Sequence, residues 1–258
     1  PKSTKVIIVS KTFTTTETIM NAKAVINWLQ INRCSPEHIE RHLIAVTANI
    51  RRANDFGIVE KNIYPFWDWV GGRFSVWSAV GLCIPLQYGF DAFMEFLQGA
   101  HRVDQDFKNI PIESNLPILM ALSLIYQQET LPSNAYVAIP YANALSLFPL
   151  WLQQLEMESH GKSISRDGNH ITHSSPVVFG SVGSNAQHSY FQLLHQGKNI
   201  IPVDFIVVGK PMSKLPEAIE HHRLLLANCL AQAQVLACGQ ASEIPNEVYA
   251  GGRPSNLI

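Results

Sequence analysis

A chain of 258 residues with 47% hydrophobic and 15% charged content has enough apolar material for one large or two ordinary cores, which excludes disorder as its organising state. A net charge of -1, with no basic run longer than Arg51-Arg52, gives no general field for nucleic acid. No window of about 18 apolar residues is present and Pro1 to Lys5 is polar, so neither a membrane span nor a signal-peptide core is expected.

Read in chain order, Lys5-Val6-Ile7-Ile8-Val9 is a β-branched run of the kind that fills a parallel strand covered on both faces. The chain begins without Met and enters this strand almost at once, which leads us to expect a piece of a longer protein. Beyond Ser10-Lys11-Thr12-Phe13-Thr14-Thr15-Thr16-Glu17-Thr18, the residues Ile19, Ala22, Ile26 and Leu29 recur at helical spacing. Thr14 and Glu17 fit a capping box, so the helix is expected to start inside the threonine run. Hydroxyls clustered with Lys11 at a helix N-terminus suit a phosphate; a well-capped helix with no ligand is the other reading.

A polar connection is expected over 32–42, then a short buried strand at Leu43-Ile44-Ala45-Val46-Thr47. Strand, helix, strand is the order of an α/β layer with a parallel sheet. Next, Phe66-Trp67-Asp68-Trp69-Val70-Gly71-Gly72-Arg73 ends in a double glycine that displays Arg73 on a specially shaped turn, for a substrate or for a pairing with Asp68. Ser78 to Ile84 is expected as a helix stopped by Pro85, and Phe90 to Val103 as an amphipathic one. The polar, Pro-containing stretch from Asp104 to Asn115 is the expected boundary between two domains, 1–105 and 106–258.

The second half repeats the theme. Leu116 to Tyr126 is an apolar helix and Tyr136 to Tyr141 a strand; Phe148, Trp151, Leu152 and Leu155 keep helical spacing across a first-turn Pro149. On that helix Gln154 and Glu158 share a face, with Gly161 as the stop. Ser163 to Ser174 is expected as a turn or hairpin, and Pro176-Val177-Val178-Phe179 and Ile200 to Val208 as strands. Between those strands, Ser184 and Gln187 again have capping-box spacing, and Ala186, Tyr190 and Leu193 form the expected packing face. His188 then lies roughly 160° from Ala186 and Tyr190 and is displayed away from the core. His221 to Cys238 is a long helix, and 239–258 shows no trustworthy periodicity.

Cys34, Cys83, Cys229 and Cys238 make no C-x-x-C pair, and the last three lie in apolar segments expected in the core, as for reduced thiols of a cytosolic protein. None of the ten histidines stands in an H-E-x-x-H pattern, so no metal is expected. The Gly180-Ser181-Val182-Gly183-Ser184-Asn185 stretch is no helix-opening G-x-G-x-x-G, so no dinucleotide cofactor is expected either. An anion cradle, a carboxylate, a displayed arginine and a displayed histidine are together the parts needed to move a proton on a phosphorylated sugar.

Four stretches carry a resemblance: Val9 to Thr18, Phe66 to Arg73, Met157-Glu158-Ser159-His160-Gly161-Lys162, and Gln187-His188 through His195-Gln196-Gly197. In order and spacing they resemble the glucose-6-phosphate isomerase (phosphoglucose isomerase) family over essentially the whole chain. The resemblance implies an α/β fold of two sugar isomerase (SIS) domains, three-layer αβα with parallel sheets, the first incomplete here and the second partial at its C-terminus. It implies aldose-ketose isomerisation of glucose 6-phosphate and fructose 6-phosphate through a cis-enediol, in glycolysis and gluconeogenesis, by a cytoplasmic homodimer without cofactor or metal. By position, Ser10, Thr12, Thr15 and the backbone at Lys11 resemble the phosphate-holding group, Gly72 and Gln154 substrate contacts, and Glu158 the base. Arg73 resembles the arginine that steadies the enediolate, and His188 the ring-opening histidine supplied by the neighbouring subunit.

This chain departs from the family pattern at Ala186, where the family has glycine, and at His160, where it has asparagine. The family also uses a glycine- and serine-containing loop upstream of this chain and a lysine downstream of Arg253-Pro254-Ser255-Asn256, so the chain alone is expected to be inactive or nearly so. A non-catalytic SIS-type sugar-phosphate sensor is the competing reading, which Glu158, Arg73 and His188 argue against because a sensor needs no such set.

Overall fold

The computed structural model describes residues 3–32, 34–131 and 134–258. The polar start at Pro1-Lys2 and the Arg33 position of the expected connection lie outside the described residues. The chain is α/β and divides into two compact units, Pro1–Lys108 and Asn109–Ile258.

In the first unit, β1 (Val6–Val9), β2 (Leu43–Thr47) and β3 (Ile63–Pro65) form a parallel sheet in the order β1-β2-β3. Three parallel strands in sequence order send their following loops to the same carboxyl edge, where open α/β sheets hold their ligands. Helix α1 (Thr16–Ile31) buries Ala22 and Leu29, with Ile19 and Ile26 packed against the same core, so the expected apolar face is the one used. The capping box is not. Thr15 is the N-cap residue and makes no side-chain cap bond, because its hydroxyl is engaged by Ser10. The connection after α1 contains a short helix, α2 (Pro36–Ile39), which Pro36 opens and whose Ile39 is buried. Helix α3 (Ile50–Asp55) follows β2, capped by Asn49.

Pro85 does not stop a helix. It stands in the first turn of α4 (Cys83–Tyr88), where its missing N–H costs nothing, and the preceding Ala79–Leu82 is a 3₁₀ stretch. Helix α5 (Phe90–Asn109) runs six residues past Val103, so the polar start of the expected boundary is helical. No residue of α5 is buried within the unit.

In the second unit, β4 (Ala135–Pro140), β5 (Val177–Phe179), β6 (Val203–Ile206) and β7 (Ser255–Leu257) form a parallel sheet in the order β5-β4-β6-β7. Strand β7 lies in the tail that showed no periodicity: three residues are too few to alternate, and its pairing is decided by β6. Around this sheet run α6 (Leu116–Thr130), α7 (Phe148–Gln153), α8 (Gly183–Gln187), α9 (Phe191–Gln196) and α10 (Ala218–Cys238). The core gathers Val137, Ile139 and Tyr141 with Leu194, Phe205 and Leu236. Ile164 and His170 bridge in antiparallel fashion, as expected for a small hairpin.

Leu193 is 47% exposed while Phe191 and Leu194 are buried. The chain breaks at 188–190 between α8 and α9, which resets the helical phase on which the expected face rested. Of the cysteines, Cys229 is buried, but Cys83 and Cys238 are exposed, which corrects their core assignment; all four are free. No described helix is long and apolar enough to cross a membrane.

Candidate functional site

The threonine loop is held from three sides. Ser10 is buried and shares a hydrogen bond of 3.2 Å with the Thr15 hydroxyl. The Lys11 carbonyl accepts from the Ala48 N–H and from the Thr47 hydroxyl, both at 3.1 Å, which pins the loop to the carboxyl end of β2. Phe13 is the third anchor. It is the one described non-glycine residue with positive φ, at 55°, and its buried ring meets Phe56 edge-on at 5.7 Å. That left-handed conformation is costly for a residue with a Cβ, and burial of the ring offsets it.

With Phe13 turned inward, Thr12, Thr14 and Thr15 are left exposed, and the Thr12 and Thr14 hydroxyls stand 2.6 Å apart. The bond from the Ile19 N–H to the Thr15 carbonyl is the first of α1, so the N–H groups of Thr16, Glu17 and Thr18 precede the helical ladder. Hydroxyls and leading N–H groups around one 16-residue helix start suit an anion with several acceptor oxygens.

The arginine turn leaves β3 at the same sheet edge. The Phe66 N–H donates to the Thr47 carbonyl at 3.3 Å, and the Val70 N–H closes a turn on the Trp67 carbonyl at 3.0 Å. Gly71 is extended, while Gly72 at φ +57 takes the left-handed conformation and opens a 3₁₀ stretch, Gly72–Trp77. Arg73 is exposed on it as expected, and among the described residues no ion pair joins it to Asp68. Instead the Asp68 carbonyl accepts a hydrogen bond from the Lys11 ammonium. Ser10, Lys11, Thr12, Thr15, Gly72 and Arg73 therefore belong to two loops of one sheet edge that are tied to each other.

In the second unit, α7 continues into a π-turn over Gln154–Glu158. Such single-turn widenings recur at functional sites. Gln154 Nε2 donates to Glu158 Oε2 at 2.6 Å, so the expected face is formed and the carboxylate is oriented by an amide. The neighbouring Glu156 is taken by His160 at 3.0 Å, and both residues of the Gln154–Glu158 pair are exposed within this unit. The helix ends as expected, with the Gly161 N–H on the Met157 carbonyl.

His188 follows β5 through α8. The Ser184/Gln187 capping box is absent: Val182 is the N-cap residue, and Gln187 donates to the Tyr141 hydroxyl at 2.9 Å. A Cβ at Gly183 would fall 2.3 Å from the Tyr141 ring, so glycine alone lets α8 start against that fully buried tyrosine. Ala186 is buried and His188, the C-cap residue of α8 at the start of the 188–190 turn, is exposed.

One polar constellation was not foreseen. Tyr136 on β4 donates to Asp204 on β6, and Asn256 on β7 donates to the other oxygen of that carboxylate at 2.7 Å. A buried aspartate inside the apolar Val203-Asp204-Phe205-Ile206 run was the available signal. The three residues line a cavity of about 360 Å³ together with Glu156, His160 and residues of α6; Gln154, Glu158 and His188 are not in its lining.

Burial first, then the Asp204 carboxylate, hold the Tyr136 phenol well above its ordinary 10.0, and burial pushes the Cys229 thiol from 9.0 up to about 12. Both folded values are raised, so the unfolded chain releases these protons first. The contribution of these two groups to stability should be full below about pH 8 and be lost as pH rises through 9 and 10. A melting series across that window should show a shallower decline for Tyr136→Phe; an unchanged slope would remove Tyr136 from the linkage.

Among the described residues no group of three His, Cys, Asp or Glu side chains is placed to hold a metal.

A profile of the phosphoglucose isomerase family matches residues 1–258. The chain is 43% identical over 273 residues to the glucose-6-phosphate isomerase of Cupriavidus taiwanensis, covering all of this chain and 49% of that protein. It is likewise 43% identical over 270 residues to the one from Dechloromonas aromatica, covering 51% of it. The crystal structure of a glucose-6-phosphate isomerase from Chlamydia trachomatis superposes with TM-score 0.85 at 36% identity, over 98% of this chain and 49% of that one. A hypothetical protein from Thermus thermophilus superposes with TM-score 0.71 at 28% identity, over 90% of this chain and 57% of that one. The chain thus spans about half the length of the curated relatives it matches.

Proposed function

The chain belongs to the phosphoglucose isomerase family, and from that premise we propose that the intact protein interconverts glucose 6-phosphate and fructose 6-phosphate in the cytoplasm. The observation that carries this is the Gln154–Glu158 hydrogen bond of 2.6 Å on a π-turn, which orients one carboxylate while Glu156 is occupied by His160.

In this reading Ser10, Thr12, Thr15 and the Lys11 backbone take the phosphate, with Gly72 and Gln154 contacting the sugar. His188 assists ring opening. Glu158 then takes the proton from C2 of the open-chain aldose and returns it to C1 of the cis-enediol. A carboxylate suits both transfers because it shuttles one proton without leaving the site. Arg73 steadies the enediolate oxygen; a preorganised donor of this kind supplies about 2.7 to 4 kcal/mol in well-studied sites. A homodimer belongs to the same reading, since His188 resembles a histidine that the family supplies from the neighbouring subunit. No observation favours the sensor reading.

Because the chain spans about half the length of its relatives, the 258-residue piece by itself should turn over little or no substrate, whereas the full-length protein should turn over both sugars. An assay coupling glucose 6-phosphate formation to its oxidation checks this. Normal turnover by the isolated piece would contradict the division of labour, and an inactive full-length protein would contradict the function.

A further inference from the structure

Lys11 is used twice in the first unit, and only its backbone is absorbed by the proposed phosphate site. Its carbonyl is bonded by Thr47 and Ala48 at the end of β2. Its ammonium crosses to the loop after β3, where it donates to the Asp68 carbonyl and stands 3.6 Å from the place a Cβ of Gly71 would occupy. One residue therefore spans the ends of all three strands. The turn it grips is otherwise anchored by the buried Val70, whose N–H bonds the Trp67 carbonyl, while Trp67, Asp68 and Trp69 are exposed; Gly71 and Gly72 follow Val70, and Arg73 comes next with no ion-pair partner among the described residues. Two consecutive glycines leave that backbone with the widest conformational choice in the unit.

We propose that the Lys11 ammonium is a positioning group that holds the 67–72 turn, and through it Arg73, in register with the threonine loop. This rests on the reading of the loop as a phosphate site and adds a separate task for the lysine side chain. A charged donor on a backbone carbonyl is among the stronger hydrogen bonds, and here it bridges elements 57 residues apart in sequence. The lysine side chain thus acts through geometry, with its ammonium held at the 67–72 turn.

The turn carries its own reporter. The Trp67 and Trp69 rings stack with centroids 5.3 Å apart and planes 12° from parallel, close enough for their transitions to couple in circular dichroism. In the 258-residue chain, Lys11→Met should lose at least half of the couplet while the helical signal and the melting temperature stay near those of the parent; Lys11→Arg, which keeps a cationic donor, should restore it. Trp69→Phe identifies the couplet. If Lys11→Met does not melt cooperatively, the same comparison is read from Lys11→Gln. An intact couplet in the folded loss variant overturns the proposal. Thermal shift with inorganic phosphate is recorded in parallel. Phosphate stabilisation with an unmoved couplet sinks the positioning role and leaves the phosphate site standing. A lost couplet without any phosphate effect supports the positioning role and counts against the phosphate site.

Discussion

Glu158→Gln in the full-length protein should lower kcat roughly 10²- to 10⁴-fold, the range over which a positioned general base contributes, with KM for fructose 6-phosphate changed far less. The substitution is nearly isosteric and leaves an oxygen to accept the Gln154 amide proton, so the π-turn loses no packing. What it removes is basicity. Glu156 offers no rescue: it is two residues earlier, it is paired with His160, and it lines the cavity under α6 that does not include Glu158. A coupled assay of the purified variant decides the matter, and a kcat within threefold of the parent would transfer the role of base away from Glu158.

The second large effect concerns the loop and not the base. Phe13→Ala should destabilise the first unit by about 3 to 5 kcal/mol, the usual cost of emptying a buried phenylalanine site. Alanine keeps a Cβ at φ 55°, so the strain stays when the packing is lost. Phe13→Gly loses the same packing but relieves that strain, and should be more stable than the alanine variant by about 1 kcal/mol. This inverts the order seen in ordinary strands and helices. Urea unfolding of the two variants measures it; an alanine variant equal to or more stable than the glycine one would mean that Phe13 does not hold the left-handed conformation in solution.

The parts of the fold that were legible in sequence are those decided locally. The run Val6-Ile7-Ile8-Val9 is β-branched throughout and Leu43 to Thr47 is apolar up to its last residue, and Ala22 with Leu29 marks a helix face that no neighbour needs to define. Neither proposed capping box forms: the Thr14 hydroxyl meets that of Thr12 and the helix starts one residue later at a Thr15 engaged by Ser10, while Gln187 turns its amide to Tyr141, 46 residues away. β7 was invisible because its partner β6 creates it. Among the candidate residues, helical spacing made the Gln154–Glu158 pairing legible and the double glycine the exposure of Arg73, while His188 is exposed on a turn that the helical angle did not describe. The π-turn, the left-handed Phe13 and the reach of Lys11 to Asp68 were not readable, because each is set by what the loop packs against. Asp204 belongs to the same class: its charge is tolerated in a strand only because Tyr136 and Asn256 meet it.

The central claim is that Glu158 moves a proton between two carbons of one sugar phosphate. Full-length protein incubated with fructose 6-phosphate in deuterated water should place solvent deuterium at C1, read by proton NMR, at a rate that Glu158→Gln abolishes. Deuterium entering C1 at the parent rate in Glu158→Gln would contradict it.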